Sequence, residues 1–208
     1  MKLLDIHTHS LLNSQEAIFN CSPREFSPQP NMYYSVGLHP WYLPSYLEED
    51  WILLAECAKH PQVLAIGETG LDKIRSISLK EQRISFEQQA TLAEETNKPL
   101  IIHAVKSYNE IICSKRDIKP TVPWIIHGFR GKKELAKQLI EHGFYLSFGE
   151  KYQQEAMLAT PLNKLFLETD ESNIDIHTLY QLAATIHSMP VKVLAKEIFQ
   201  NIDTVFFS

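Results

Sequence analysis

The sequence predicts an α/β fold in which parallel strands close into a (β/α) barrel, and two observations carry that prediction. Short apolar runs alternate with longer stretches of helical periodicity, and five of the runs end on residues able to hold a divalent metal. Those runs lead to His7 and His9, to Glu68, to His103, to His127 and to Asp170. Apolar runs separated by helices read as buried parallel strands. Residues at the carboxyl ends of different barrel strands converge on one face, where catalysis sits.

The elements follow in order. A first strand over 2–7 rests on Leu3, Leu4 and Ile6, and a second over 16–21 on Ala17 and Ile18. Pro23, Pro28 and Pro30 forbid an ordinary helix after it. The barrel is therefore expected to be shortened or partly open around its first two crossovers. A third strand over 33–38 precedes a helix over 45–60, whose apolar face carries Leu47, Trp51, Leu54, Ala55 and Ala58 and which Pro61 stops. After a strand over 63–67, Ile84, Phe86, Ala90 and Ala93 mark a helix over 79–97, closed by Asn97-Lys98-Pro99.

Strands over 99–103 and 124–127 follow, then a helix over 132–142 with Leu135, Leu139 and Ile140 on one side and Gly143 as a left-handed terminator. Strands over 144–148 and 165–169 complete the set, and 177–207 reads as one or two helices around Pro190. No linker or repeat divides the chain, so residues 1–208 are expected to form one domain.

The 208 residues carry a net charge of -5, which supplies no global attraction to nucleic acid. Any phosphate recognition must come from a local patch or from bound metal. Cys21, Cys57 and Cys113 lie far apart with no C-x-x-C pair, the pattern of free thiols in a reducing compartment. No stretch is apolar enough to span a membrane, and Asp5 and His7 interrupt the first apolar run too early for a signal peptide. A cytoplasmic location is the expectation.

His7 and His9 share strand parity and can chelate one ion. Asp5, deeper on the same side, either orients a ligand or bonds to backbone. Glu68 lies in Gly67-Glu68-Thr69-Gly70-Leu71-Asp72, where glycines let the backbone approach an ion closely. Asp72 either caps the next segment or supports Glu68. His103 and His127 each end a short apolar run, and Asp170 can hold a metal and accept a proton from attacking water. Glu168 reads as structural. His39 follows another strand end and is a candidate for substrate contact, as are Arg130 and, more weakly, Lys106. Lys132 and Lys133 fit a solvated helix face equally well. His60, His142, His177 and His187 read as structural or exposed.

Together, Asp5-Ile6-His7-Thr8-His9, Gly37-Leu38-His39-Pro40, Ile66 through Asp72, Pro99 through His103, His127-Gly128-Phe129-Arg130-Gly131, Gly143 through Gly149 and Leu167-Glu168-Thr169-Asp170 resemble the TatD family of metal-dependent hydrolases. The resemblance implies a TIM-like (β/α) barrel and phosphodiester hydrolysis, as in a magnesium-dependent deoxyribonuclease, by a two-metal centre. It implies that His7, His9, Glu68 and Asp170 hold one ion and that Glu68 bridges to a second held by His103 and His127. Asp170 is then the base, so Asp170 and Glu68 are the catalytic pair. The sequence departs from the family in its short segment after the first strand, in the absence of an arginine two residues past His103, and in Glu171-Ser172-Asn173 where a small-proline turn is usual.

The expected cofactors are two divalent ions, magnesium, manganese or zinc, and the expected partner is DNA or a small phosphodiester. Metal-dependent hydrolysis of an amide or ester is the alternative chemistry, and a metal-binding scaffold without turnover is the alternative class.

Overall fold

The structure is a computed structural model that describes residues 4–10 and 16–207. Eight strands follow one another in chain order in one sheet, and the pairings described within each unit are parallel, the strand order of a (β/α) barrel. They are β1 (Asp5–Thr8), β2 (Ala17–Cys21), β3 (Tyr33–Val36), β4 (Val63–Asp72), β5 (Leu100–Val105), β6 (Trp124–Ile126), β7 (Tyr145–Phe148) and β8 (Leu165–Leu167). The helices are α1 (Glu48–Cys57), α2 (Leu79–Thr96), α3 (Tyr108–Ile118), α4 (Lys133–Glu141), α5 (Gln154–Ala159), α6 (Ile176–Ile186) and α7 (Val191–Phe206). The chain forms two compact units, one from residues up to 19 together with those from 125 onward, the other from 20–124. No described helix is long and apolar enough to cross a membrane.

In the first unit β1 pairs with β2 through Asp5↔Ala17, and β7 joins β6 and β8 through Ile126↔Leu146 and Ser147↔Phe166. The two ends of the strand order meet loosely. β8 reaches β1 through an isolated bridge, Thr8↔Asp170, with the Asp170 N–H donating to the His7 carbonyl at 2.9 Å and the His9 N–H to the Asp170 carbonyl at 3.0 Å. Asp5 reinforces that seam by accepting from the backbone N–H of His7 and of Thr169, both at 3.1 Å, and from the Thr169 hydroxyl at 2.6 Å. Of the two readings the sequence left open, the structure places Asp5 on backbone. Burial drives its carboxyl up to about 7, although these hydrogen bonds oppose the rise. The second crossover contains no helix among its described residues, as Pro23, Pro28 and Pro30 require.

In the second unit β4 lies between β3 and β5, and all ten of its residues are buried. The sequence reading ended this strand at 67; it continues to Asp72. The register against β5 shifts between Ile66↔Leu100 and Thr69↔Ile102, so Glu68 sits in an irregular stretch within the strand, not at its end. Glycine makes that close approach possible. Gly70 has φ +151°, and a Cβ there would lie 2.0 Å from the His103 carbonyl oxygen.

The helix ends carry their predicted signals. Ser78 caps α2 by accepting the Glu81 N–H, Asn97 closes it in the left-handed region at φ 51°, and Gly143 follows α4 at φ 75°. The first helix starts at Glu48, later than expected, because Pro40–Ser45 forms a separate 3-10 turn. Two helices, α3 and α5, are absent from the sequence reading. Adjacent Ile111 and Ile112 in α3 mimic a strand, and α5 has only six residues over which to show a period.

Candidate functional site

Each unit gathers its own set of metal-competent side chains. In the first, His7 is fully buried on β1, His127 follows β6 and Asp170 follows β8. One ligand atom from each lies within 4.8 Å of the others. The Nε2 atoms of His7 and His9 each stand 3.8 Å from the same Asp170 oxygen, and the rings of His7 and His127 are 4.4 Å apart. His9 is more exposed than His7, since β1 has ended before it.

Glu168 takes a part that its strand position did not reveal. Its Oε1 accepts the Gly128 N–H at 2.6 Å and meets Nδ1 of His127 at 3.2 Å. A carboxylate on one ring nitrogen is the usual support of a metal-bound imidazole. Burial acts to raise the Glu168 carboxyl, but the charge and hydrogen bond of His127 hold it below its ordinary value. Alternation along β8 showed a buried acid; only the chain crossing at Gly128 shows what it holds.

In the second unit Glu68 lies between two imidazoles. Its Oε1 is 2.7 Å from Nδ1 of His103 and 3.1 Å from Nε2 of His39. His39, expected as a substrate contact, belongs to this ligand group. Asn20 accepts the Glu68 N–H at 2.8 Å, and Asp72 meets Nε2 of His103 at 3.2 Å. Asp72 also accepts from the Trp41 indole at 2.6 Å and from the Ile74 N–H at 2.9 Å, so it both caps and positions. Burial works to raise its carboxyl, yet the bonds from Trp41, Ile74 and His103 win and lower it.

Helix α2 fixes this group through two buried amides. Gln82 accepts the Asp72 N–H at 2.6 Å and donates to the Asp72 carbonyl at 3.0 Å. Gln89 brackets Leu38, beside His39, in the same way at 2.8 and 3.0 Å. Amides at i and i+7 lie on one helix face, a visible pattern whose purpose needed the partner backbone.

The remaining expected residues lie outside the ligand groups. Arg130 is exposed, with Nη2 at 3.9 Å from Asp170 Oδ2. Lys106 is exposed after β5 at φ 53°. The grouped imidazole and carboxylate donors could hold a divalent metal ion.

A profile for TatD-related DNases matches residues 24–207. The chain belongs to the TatD family of metal-dependent hydrolases. It is 34% identical over 148 residues to the uncharacterized metal-dependent hydrolase YabD of Bacillus subtilis, an alignment covering 67% of this chain and 58% of that protein. It is 27% identical over 189 residues to the deoxyribonuclease Tat-D of Schizosaccharomyces pombe, covering 80% of this chain and 60% of that one. The chain thus spans a little under two thirds of the length of these TatD relatives. In fold it superposes on the Escherichia coli TatD homolog YJJV with a TM-score of 0.88 at 19% identity, over 99% of this chain and 98% of that one. The TIM-like barrel class expected from the sequence is thereby shown.

Proposed function

We propose that this TatD-family chain hydrolyses phosphodiesters with two divalent cations. The observation that carries the reading is the pair of ligand groups, His7, His127 and Asp170 in one unit and His39, Glu68 and His103 in the other. Divalent ions suit such mixed imidazole and carboxylate donors. His7, His9, His127 and Asp170 would hold one ion, and Glu68 and His103, with His39 beside them, would hold the second.

Bound cations would polarise a phosphoryl oxygen and make water acidic enough to attack near neutral pH. The chain's own groups then have definite tasks. Asp170 is partly open to solvent and offers the carboxylate that takes the proton from the attacking water. Glu168 keeps His127 in one orientation, and Asp72 does the same for His103. Arg130, beside Asp170, faces the developing negative charge. DNA is one candidate substrate, by likeness to the relative named a deoxyribonuclease, and a small phosphodiester is another.

Metal analysis of the purified chain, followed by assays on bis(para-nitrophenyl) phosphate with magnesium, manganese or zinc, tests this reading. About two equivalents of metal and turnover abolished by Asp170→Asn are expected. Failure to bind metal, or turnover unchanged in Asp170→Asn, would refute it.

A further inference from the structure

A cleft of about 610 Å³ opens in the first unit beside Asp170, and its rim is built from residues that the ligand groups do not use. The loop after β7 lines it with Glu150 and Lys151 and the segment after β8 with Glu171 and Ser172; Arg130, whose Nη2 is 3.9 Å from Asp170 Oδ2, lines it as well. The loop and the segment are tied together. The Ser172 hydroxyl donates to Glu150 Oε2 at 2.6 Å, and its oxygen accepts the Ile174 N–H at 3.1 Å. The Ser172 N–H donates in turn to the Thr169 carbonyl at 2.9 Å, which anchors the segment to the end of β8. The Glu150 carboxylate is thus held at the rim.

We propose that this cleft selects a substrate bearing a single phosphodiester charge and turns away a polyanionic strand. The inference rests on the phosphodiesterase reading and narrows its substrate class. Arg130 and Lys151, together with the cation proposed at Asp170, supply positive charge for one phosphate. Glu150 and Glu171 stand at the same rim and oppose any further phosphate. In a nucleic-acid strand, neighbouring phosphates fall within one screening length of each other, so a strand bound here cannot keep its next charge away from these acids. The cleft volume suits a ligand of nucleotide size. The chain's net charge of -5 adds no global attraction for a strand.

The test uses the manganese-loaded full chain, wild type against the double variant Glu150→Gln, Glu171→Gln. Glutamine keeps an acceptor for Ser172, so the tie between the loop and the segment survives. Binding of a short labelled oligodeoxynucleotide is followed by fluorescence anisotropy over a salt series. Steady-state kinetics are measured on the same oligonucleotide and on bis(para-nitrophenyl) phosphate. Removing the acids should tighten oligonucleotide binding about tenfold at low salt and steepen its salt dependence. The ratio of oligonucleotide to small-diester kcat/KM should rise by a similar factor. Lys151→Gln should raise KM for the small diester more than it lowers kcat. Unchanged oligonucleotide affinity and salt slope in the double variant would overturn the proposal, as would equal shifts on both substrates. If neither substrate is turned over by the wild type, the phosphodiesterase reading fails by itself, and the anisotropy series still decides whether the acids repel a strand.

Discussion

Glu168 Oε1 stands 3.2 Å from Nδ1 of His127, and the same oxygen accepts the N–H of the very next residue, Gly128. One buried carboxylate therefore fixes both the ring and the backbone that carries it. His127 is also one of three side chains, with His7 and Asp170, that could hold a metal ion.

Glu168→Gln keeps the shape but removes the charge and leaves the amide to satisfy both contacts. Metal affinity measured by titration calorimetry should fall roughly 10–100-fold, the usual loss when a backing carboxylate is removed. An unchanged affinity in a folded variant would show that His127 needs no such support.

Gln89 is a structural counterpart in the second unit. Gln89→Leu would leave the buried N–H and carbonyl of Leu38 without their partner at the base of the His39 turn. Each lost partner costs about 1–3 kcal/mol. Thermal melting should show a clear loss of stability, and the metal bound by the His39, Glu68 and His103 group should weaken with it. A melting curve superimposed on the wild type would contradict this account.

Gly70 lets β4 run against β5 where Glu68 and His103 must meet. Gly70→Ala places a Cβ 2.0 Å from the His103 carbonyl at a backbone angle that side chains seldom adopt. The strain should cost at least about 2 kcal/mol, read from chemical denaturation. Replacement of the exposed Ile74 by Ala serves as the neutral comparison.

Arg24 and Asp50 give a pH signature away from the ligand groups. The Arg24 guanidinium pairs with Asp50 in a two-pronged contact, and Asp50 also accepts the Leu47 N–H at 2.7 Å before α1. The hydrogen bond from Arg24, then that from Leu47, holds the Asp50 carboxyl below its ordinary 3.8. A carboxyl lowered on folding stabilises the protein above its unfolded value and loses that contribution as pH falls through the folded one. The melting-temperature gap between wild type and Asp50→Asn should be full at neutral pH and close as the pH drops below 3.8. A gap independent of pH would mean that the ion pair contributes nothing.

Much of the architecture was legible before any coordinates. All eight strands lie where the apolar runs put them, since a strand buried on both faces needs an unbroken run of such residues. Helix α2 was visible from its period and its end at Asn97. The full extent of β4 was not, because Gly70 looks like a loop residue until the neighbouring strand that excludes any side chain is in place. Asp72 looked like a cap, and it is one; its contacts with His103 and Trp41 depend on side chains far away in sequence.

The sequence by itself determined the alternation of strands and helices and marked His7, His9, Glu68, His103, His127 and Asp170 as metal-competent residues in or beside strands. It could do so because burial period and ligand chemistry are local properties of a residue and its near neighbours. Only the tertiary structure decided that Glu168 backs His127, that His39 joins Glu68 and His103, and that Ser172 ties Glu150 to the rim of the cleft. Those pairings span tens of residues, and a hydrogen bond forms only where folding brings donor and acceptor to one place with the right geometry.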